Sequence, residues 1–213
     1  MNYYSYRLDH DYGLAPNPFG GYCTLVVCKP DIRKSSKLSI GDWIFGTGSK
    51  AIEKNTGIEC QKSLIYAMKV GEMIGMNDYW NDPRFNYKKP IVGGSRVTMF
   101  GDNFYHIDET SGEWIQENSA HSLEGKPNLD HMAADLKGKN ALISNEFFYF
   151  GDKAPFIPEE HSNIIHSTQG MKCPEGEEGS AFVNWLYSNF NTGINGYPCD
   201  WRQMKKNGQL NLF

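Results

Sequence analysis

The sequence predicts an α+β fold: a curled antiparallel sheet or small barrel with a helical elaboration towards the C-terminal end. Two observations lead there. Short β-branched and aromatic runs bounded by glycine and proline crowd the first 150 residues, and the clearest amphipathic helix comes late. At 213 residues the chain suits a single domain, with a barrel-like core over about 3–150 and the elaboration over 151–213.

In chain order, "YCTLVVCK" (22–29) reads as a buried strand between a glycine pair and a Lys-Pro break. On such a strand Cys23 and Cys28 would point to opposite faces. "DWIFG" (42–46) and "SLIYAMKV" (63–70) read as the next strands, the first fed by a Gly-Asp turn. "SRVTMF" (95–100) follows "VGG" as another strand, and "NALISNEFFYFG" (140–151) as one or two more. "GSAFVNWLYSNF" (179–190) carries Phe182, Trp185, Leu186 and Phe190 at helical spacing, with Ser180 as N-cap. "DHMAADL" (130–136) predicts a shorter helix that stops before Gly138.

Composition narrows the function class. Aromatic residues make up 14% of the chain, enough for a packed core. No apolar run is long enough to span a bilayer, and the N-terminal stretch lacks the basic start and apolar run of a signal peptide. Five cysteines without close pairing suit a reducing compartment, so a cytoplasmic protein with no membrane partner is expected. A net charge of −4 argues against bulk attraction to nucleic acid. Residues 29–54, however, hold a local balance of +3, which could face a phosphate.

Three segments could carry chemistry. "GTGS" offers Gly46, Thr47, Gly48 and Ser49 as a loop free to adopt positive φ, its amides converging on an anion, or as a plain turn. It has neither the P-loop nor the dinucleotide-fingerprint spacing. "APNPF" stiffens the presentation of Asn17 and Phe19, an amide beside a ring, as a base reader would need. "NDYWNDPRFNYKKP" interleaves Tyr79 and other rings with Arg84 and lysines, a pattern that suits stacking plus phosphate contact. His10, Asp11, Asp102 and His121 are acid/base candidates if the chain is an enzyme. The histidines and cysteines form no spaced ligand set, so neither a metal nor another cofactor is expected.

Taken together, "HDYGLAPNPFGGYCTLVVCKPDIR", "GDWIFGTGSK", "LIYAMKV", "YWNDPRF", "GDNFYH" and "ISNEFFYFG" resemble the nucleotide modification associated domain family, type two, over about residues 3–200. The resemblance implies a DNA base-modification setting in bacteria and their viruses. The order "GDWIFGTGS", "LIYAMKVGEMI", "YWNDPRF" is also similar to PUA-like domains of the EVE and ASCH groups, which implies a compact β-barrel that accommodates a modified or flipped base. The expected partner is therefore a nucleotide or modified nucleobase, possibly within DNA. Asn17, Phe19, Lys29, Arg33, Gly46, Thr47, Gly48, Ser49, Tyr79 and Arg84 would hold it. An enzyme acting on a base or nucleotide is the alternative, and a nucleotide-sequestering or interaction protein in phage–host conflict is a third.

Overall fold

The computed structural model describes residues 1–166 and 170–204. Its strands are β1 (Tyr3–Arg7), β2 (Cys23–Leu25), β3 (Trp43–Thr47), β4 (Leu64–Lys69), β5 (Glu72–Gly75), β6 (Tyr105–Ile107), β7 (Trp114–Gln116), β8 (Asn140–Ser144), β9 (Phe147–Tyr149), β10 (Met171–Lys172) and β11 (Gly193–Ile194). Its α-helices are α1 (Pro30–Arg33), α2 (Lys50–Thr56), α3 (Met76–Asn81), α4 (Arg96–Met99), α5 (Leu129–Leu136), α6 (Gly176–Asn189) and α7 (Trp201–Met204). Contacts divide the chain into two units: 1–12, 39–71 and 144–213 in the first, 13–38 and 72–143 in the second.

The first unit is built on a six-stranded sheet in the order β10-β1-β3-β4-β9-β11. It is mixed: β1 runs parallel to β3 and β11 parallel to β9, while β3–β4, β4–β9 and β1–β10 are antiparallel. The sheet is open, with β10 and β11 at its edges, so the expected closed barrel does not form. One face packs on α6. Tyr3, Trp43, Phe45, Leu64, Ala67, Phe148 and Phe150 meet Phe182 and Leu186 of that helix in the core. The late amphipathic helix therefore packs outside the sheet as its spacing predicts, although it starts earlier: its N-cap position is Glu175, without a side-chain cap hydrogen bond, rather than Ser180. The Gly-Asp turn is also present. Gly41 takes φ +96°, and the Asp42 carboxylate accepts the amides of Ser39 and Asn2 at the mouth of β3.

The second unit holds a three-stranded sheet, β2-β8-β5, and the β6–β7 hairpin. Two expectations fail here. "SRVTMF" is not a strand: Ser95 accepts the Thr98 amide and caps α4. A cap at that position gives the backbone a helical alternative to a sheet ladder. The first long strand is also shorter than expected, since β2 ends at Leu25 and Cys28 sits in a turn at φ +57°. No helix among the described residues is long and apolar enough to cross a membrane.

Candidate functional site

In the second unit the chain leaves β2, passes Cys28 and Lys29, both at positive φ, and enters α1 at Pro30. Proline is pre-set for the first helical position, so the break falls immediately before it. Arg33 fixes this turn from inside. It is fully buried and donates to the carbonyls of Cys28 (2.8 Å), Asp135 (2.6 Å) and Asn140 (3.0 Å). Gly138 makes room for it, since a Cβ there would lie 2.2 Å from the guanidinium carbon. Burial lowers the Arg33 pKa to about 10, partly offset by Asp135.

That turn sets Cys28 against two side chains from distant parts of the unit. Asp135, buried near the end of α5, accepts the Cys28 amide on Oδ1 at 2.6 Å. Its Oδ2 lies 2.9 Å from His121 Nδ1 and accepts the Tyr105 hydroxyl at 3.1 Å. The other ring nitrogen of His121, Nε2, faces Cys28 Sγ at 3.8 Å. Thiol, imidazole and carboxylate thus form one compact cluster, the thiol nearest Nε2 and the carboxylate nearest Nδ1. Gln116 completes the support, with its Nε2 on the Tyr105 oxygen at 2.9 Å and its Oε1 accepting the Asn128 amide.

Burial disfavours a charged imidazole, yet the hydrogen bonds with Asp135 and Cys28 prevail and raise the His121 pKa to about 10. Burial likewise pushes the Asp135 carboxyl up, but His121, the Cys28 amide and Arg33 together hold it below the usual range. The two shifts agree: the pair is ionised across neutral pH. Tyr105, buried against that carboxylate, is raised and stays a donor.

Cys28, His121 and Asp135 also form a group with donor atoms within 4.8 Å of one another. The nearest contacts of the carboxylate and the thiol are to opposite nitrogens of that ring. An imidazole oriented by a carboxylate and presented to a thiol is the constellation of nucleophilic catalysis. Cys28 is partly exposed, whereas Cys23, Cys60 and Cys199 are fully buried.

Of the residues expected from sequence, Lys29, Arg33 and His121 gather at this turn. Lys29 is half-buried, adjacent to Cys28. Arg33 supports the turn rather than facing a phosphate. A second group gathers around Lys88, which is buried and donates to Asn17 O, Asn17 Oδ1, Tyr22 O and Thr24 Oγ1 at 2.8–3.0 Å. Asn17 also donates to Phe100 O, so its amide is spent inside. Asp102, buried beside it, accepts from Thr24 and from the Tyr79 hydroxyl. Tyr79 is buried with its ring stacked on Phe85 at 4.4 Å, and a base could use that face only if this packing opened. Burial lowers the Lys88 pKa to about 8 against the field of Asp102.

Arg84 is engaged too, forked onto Glu72 (2.9 Å to each oxygen) and bound to Asp82. Phe19 is half-buried, its amide accepted by Asn17 Oδ1.

The remaining candidates lie in the first unit. His10 is exposed and stacks on Tyr12. Asp11 is buried, accepts from Tyr149 and from the Cys199 amide, and has its pKa raised by burial to about 6.

"GTGS" does not form an anion nest. Gly46 and Thr47 end β3, and the Gly48 amide donates to Ser63 O. Thr47 Oγ1 donates to Tyr6 O, and Ser49 caps α2. Neither glycine has positive φ. Both are needed for close approach: a Cβ at Gly46 would meet the Tyr66 ring at 2.2 Å, and one at Gly48 the Cys60 carbonyl oxygen at 2.1 Å.

Cys28 and Asp135 were not expected as site residues. "CKP" at the end of an apolar run was the available signal, because a strand broken by Lys-Pro puts the preceding cysteine in a turn. No curated protein and no solved structure gives a significant match to the chain. The nucleotide modification associated domain 2 family matches residues 1–205, and the chain belongs to that family.

Proposed function

We propose that the protein is a thiol-dependent enzyme acting on a nucleobase or nucleotide, with Cys28 as nucleophile, His121 as acid/base and Asp135 as the carboxylate that orients it. One observation carries the reading: the His121 ring bridges Asp135 and Cys28 through opposite nitrogens. The family supplies the nucleotide-modification setting. The commitment of Asn17, Arg33 and Arg84 to internal partners favours this reading over recognition without chemistry.

In the forward step the Cys28 thiolate attacks an electrophilic carbon of the substrate. A sulfur–carbon bond forms, and the departing group takes its electron pair and the Nε2 proton of His121. Water then attacks the same carbon and passes a proton to Nε2. The sulfur–carbon bond breaks and the thiolate returns. The net change is hydrolytic replacement of the departing group by hydroxyl. Lys29, adjacent to Cys28 in sequence and half-buried, is the cation this reading assigns to a substrate phosphate.

Incubation with panels of modified nucleosides, nucleotides and oligonucleotides, followed by intact-mass analysis, tests the proposal. A mass adduct on Cys28 and a converted product are expected, both lost in Cys28→Ser. Binding of a nucleotide with neither adduct nor turnover would return the protein to a recognition role.

A further inference from the structure

The gap between Cys28 Sγ and His121 Nε2 measures 3.8 Å. A tetrahedral zinc ion with bonds of about 2.3 Å to sulfur and about 2.0 Å to nitrogen sets those donors roughly 3.5 Å apart. The pair therefore meets an ion of that size with a shift of a few tenths of an ångström. Behind the imidazole, Asp135 Oδ2 lies 2.9 Å from Nδ1, the outer-carboxylate arrangement that fixes the tautomer of a metal-binding histidine and raises its basicity. The carboxylate is itself held by Tyr105 and by the Cys28 amide. Cys28 is partly exposed, and water would complete the tetrahedral coordination of an ion held by these two donors.

We propose that Cys28 Sγ and His121 Nε2 bind one thiophilic divalent cation of the zinc class, with Asp135 as the outer carboxylate. Binding itself rests on the geometry alone. Its consequence rests on the thiol reading above: the ion takes the place of the proton shared by thiol and imidazole, so the metal-bound protein cannot use Cys28 as a nucleophile. Free zinc then acts as an off-switch for the thiol.

The test uses the full chain carrying Cys173→Ser, which removes the other solvent-accessible thiol among the described residues. After chelation, cadmium is titrated while thiolate-to-metal charge transfer is followed in the ultraviolet, and zinc stoichiometry is measured by dialysis and elemental analysis. One ion per chain is expected, abolished by Cys28→Ser and weakened at least about tenfold by Asp135→Asn, as loss of an outer partner typically does. In the same protein, without any further substitution, saturating zinc should protect Cys28 from alkylation, read by peptide mass mapping. No stoichiometric binding, binding unchanged by Cys28→Ser, or alkylation indifferent to zinc would overturn the metal site. The thiol reading fails separately, if Cys28 in chelator reacts at a rate independent of His121.

Discussion

Gly48 shows how one residue decides between two readings of the same letters. Its missing side chain serves approach to the Cys60 carbonyl, not exposure of an amide. Gly48→Val should therefore destabilise the fold, by about 1–3 kcal/mol or more for overpacking, and urea denaturation would show it. Loss of binding with stability intact would point back to a ligand-contacting loop. His121 gives a pH prediction at the same scale. Its folded pKa of about 10 exceeds the unfolded value of about 6.5. Its contribution to stability is thus complete below about pH 6.5 and is lost as pH climbs through about 10. The groups facing it are Asp135, Cys28 and the ring of His131, with Tyr105 and Arg33 reaching it through Asp135. Denaturant midpoints measured in chelator should fall across that range, and His121→Gln should flatten the decline.

Among the elements, the β2–α1 turn and the Lys88 network were the least legible in the sequence. An apolar run such as "TLVVC" looks the same whether it stays extended or turns at its end, and burying Arg33 under it depends on the carbonyls of α5 and β8. By sequence, Lys88 is one of the lysines interleaved with rings, a pattern that suits phosphate contact. Its burial is possible only because Asn17, Tyr22 and Thr24 supply oxygen acceptors from another segment. Lys88→Met should cost about 3 kcal/mol or more, because Asp102 is left as a buried charge and the acceptors lose their donor. A small change in the denaturation midpoint would mean that water replaces the ammonium there. The strands at β3, β4 and β8–β9, and helices α5 and α6, were readable because residue period acts locally, whereas the cap of α6 was misplaced.

For the whole molecule, local pattern gave the mixed character of the fold and the helix packed on its sheet, but not closure. Whether a sheet closes depends on pairing between distant strands, and here β10 and β11 occupy the edges of an open one. Of the thiol, imidazole and carboxylate, only His121 was legible in the sequence, since its partners lie 93 and 14 residues away in the chain. On the function proposed above, His121 and Asp135 make Cys28 a poised nucleophile. The direct measurement is the rate of Cys28 alkylation by iodoacetamide near neutral pH, in chelator, in the Cys173→Ser protein, resolved by peptide mass mapping. Cys28 is expected to react while buried Cys23, Cys60 and Cys199 stay unmodified, and His121→Gln to slow it by at least about tenfold. A Cys28 that resists the reagent, or reacts equally fast without His121, would contradict that role.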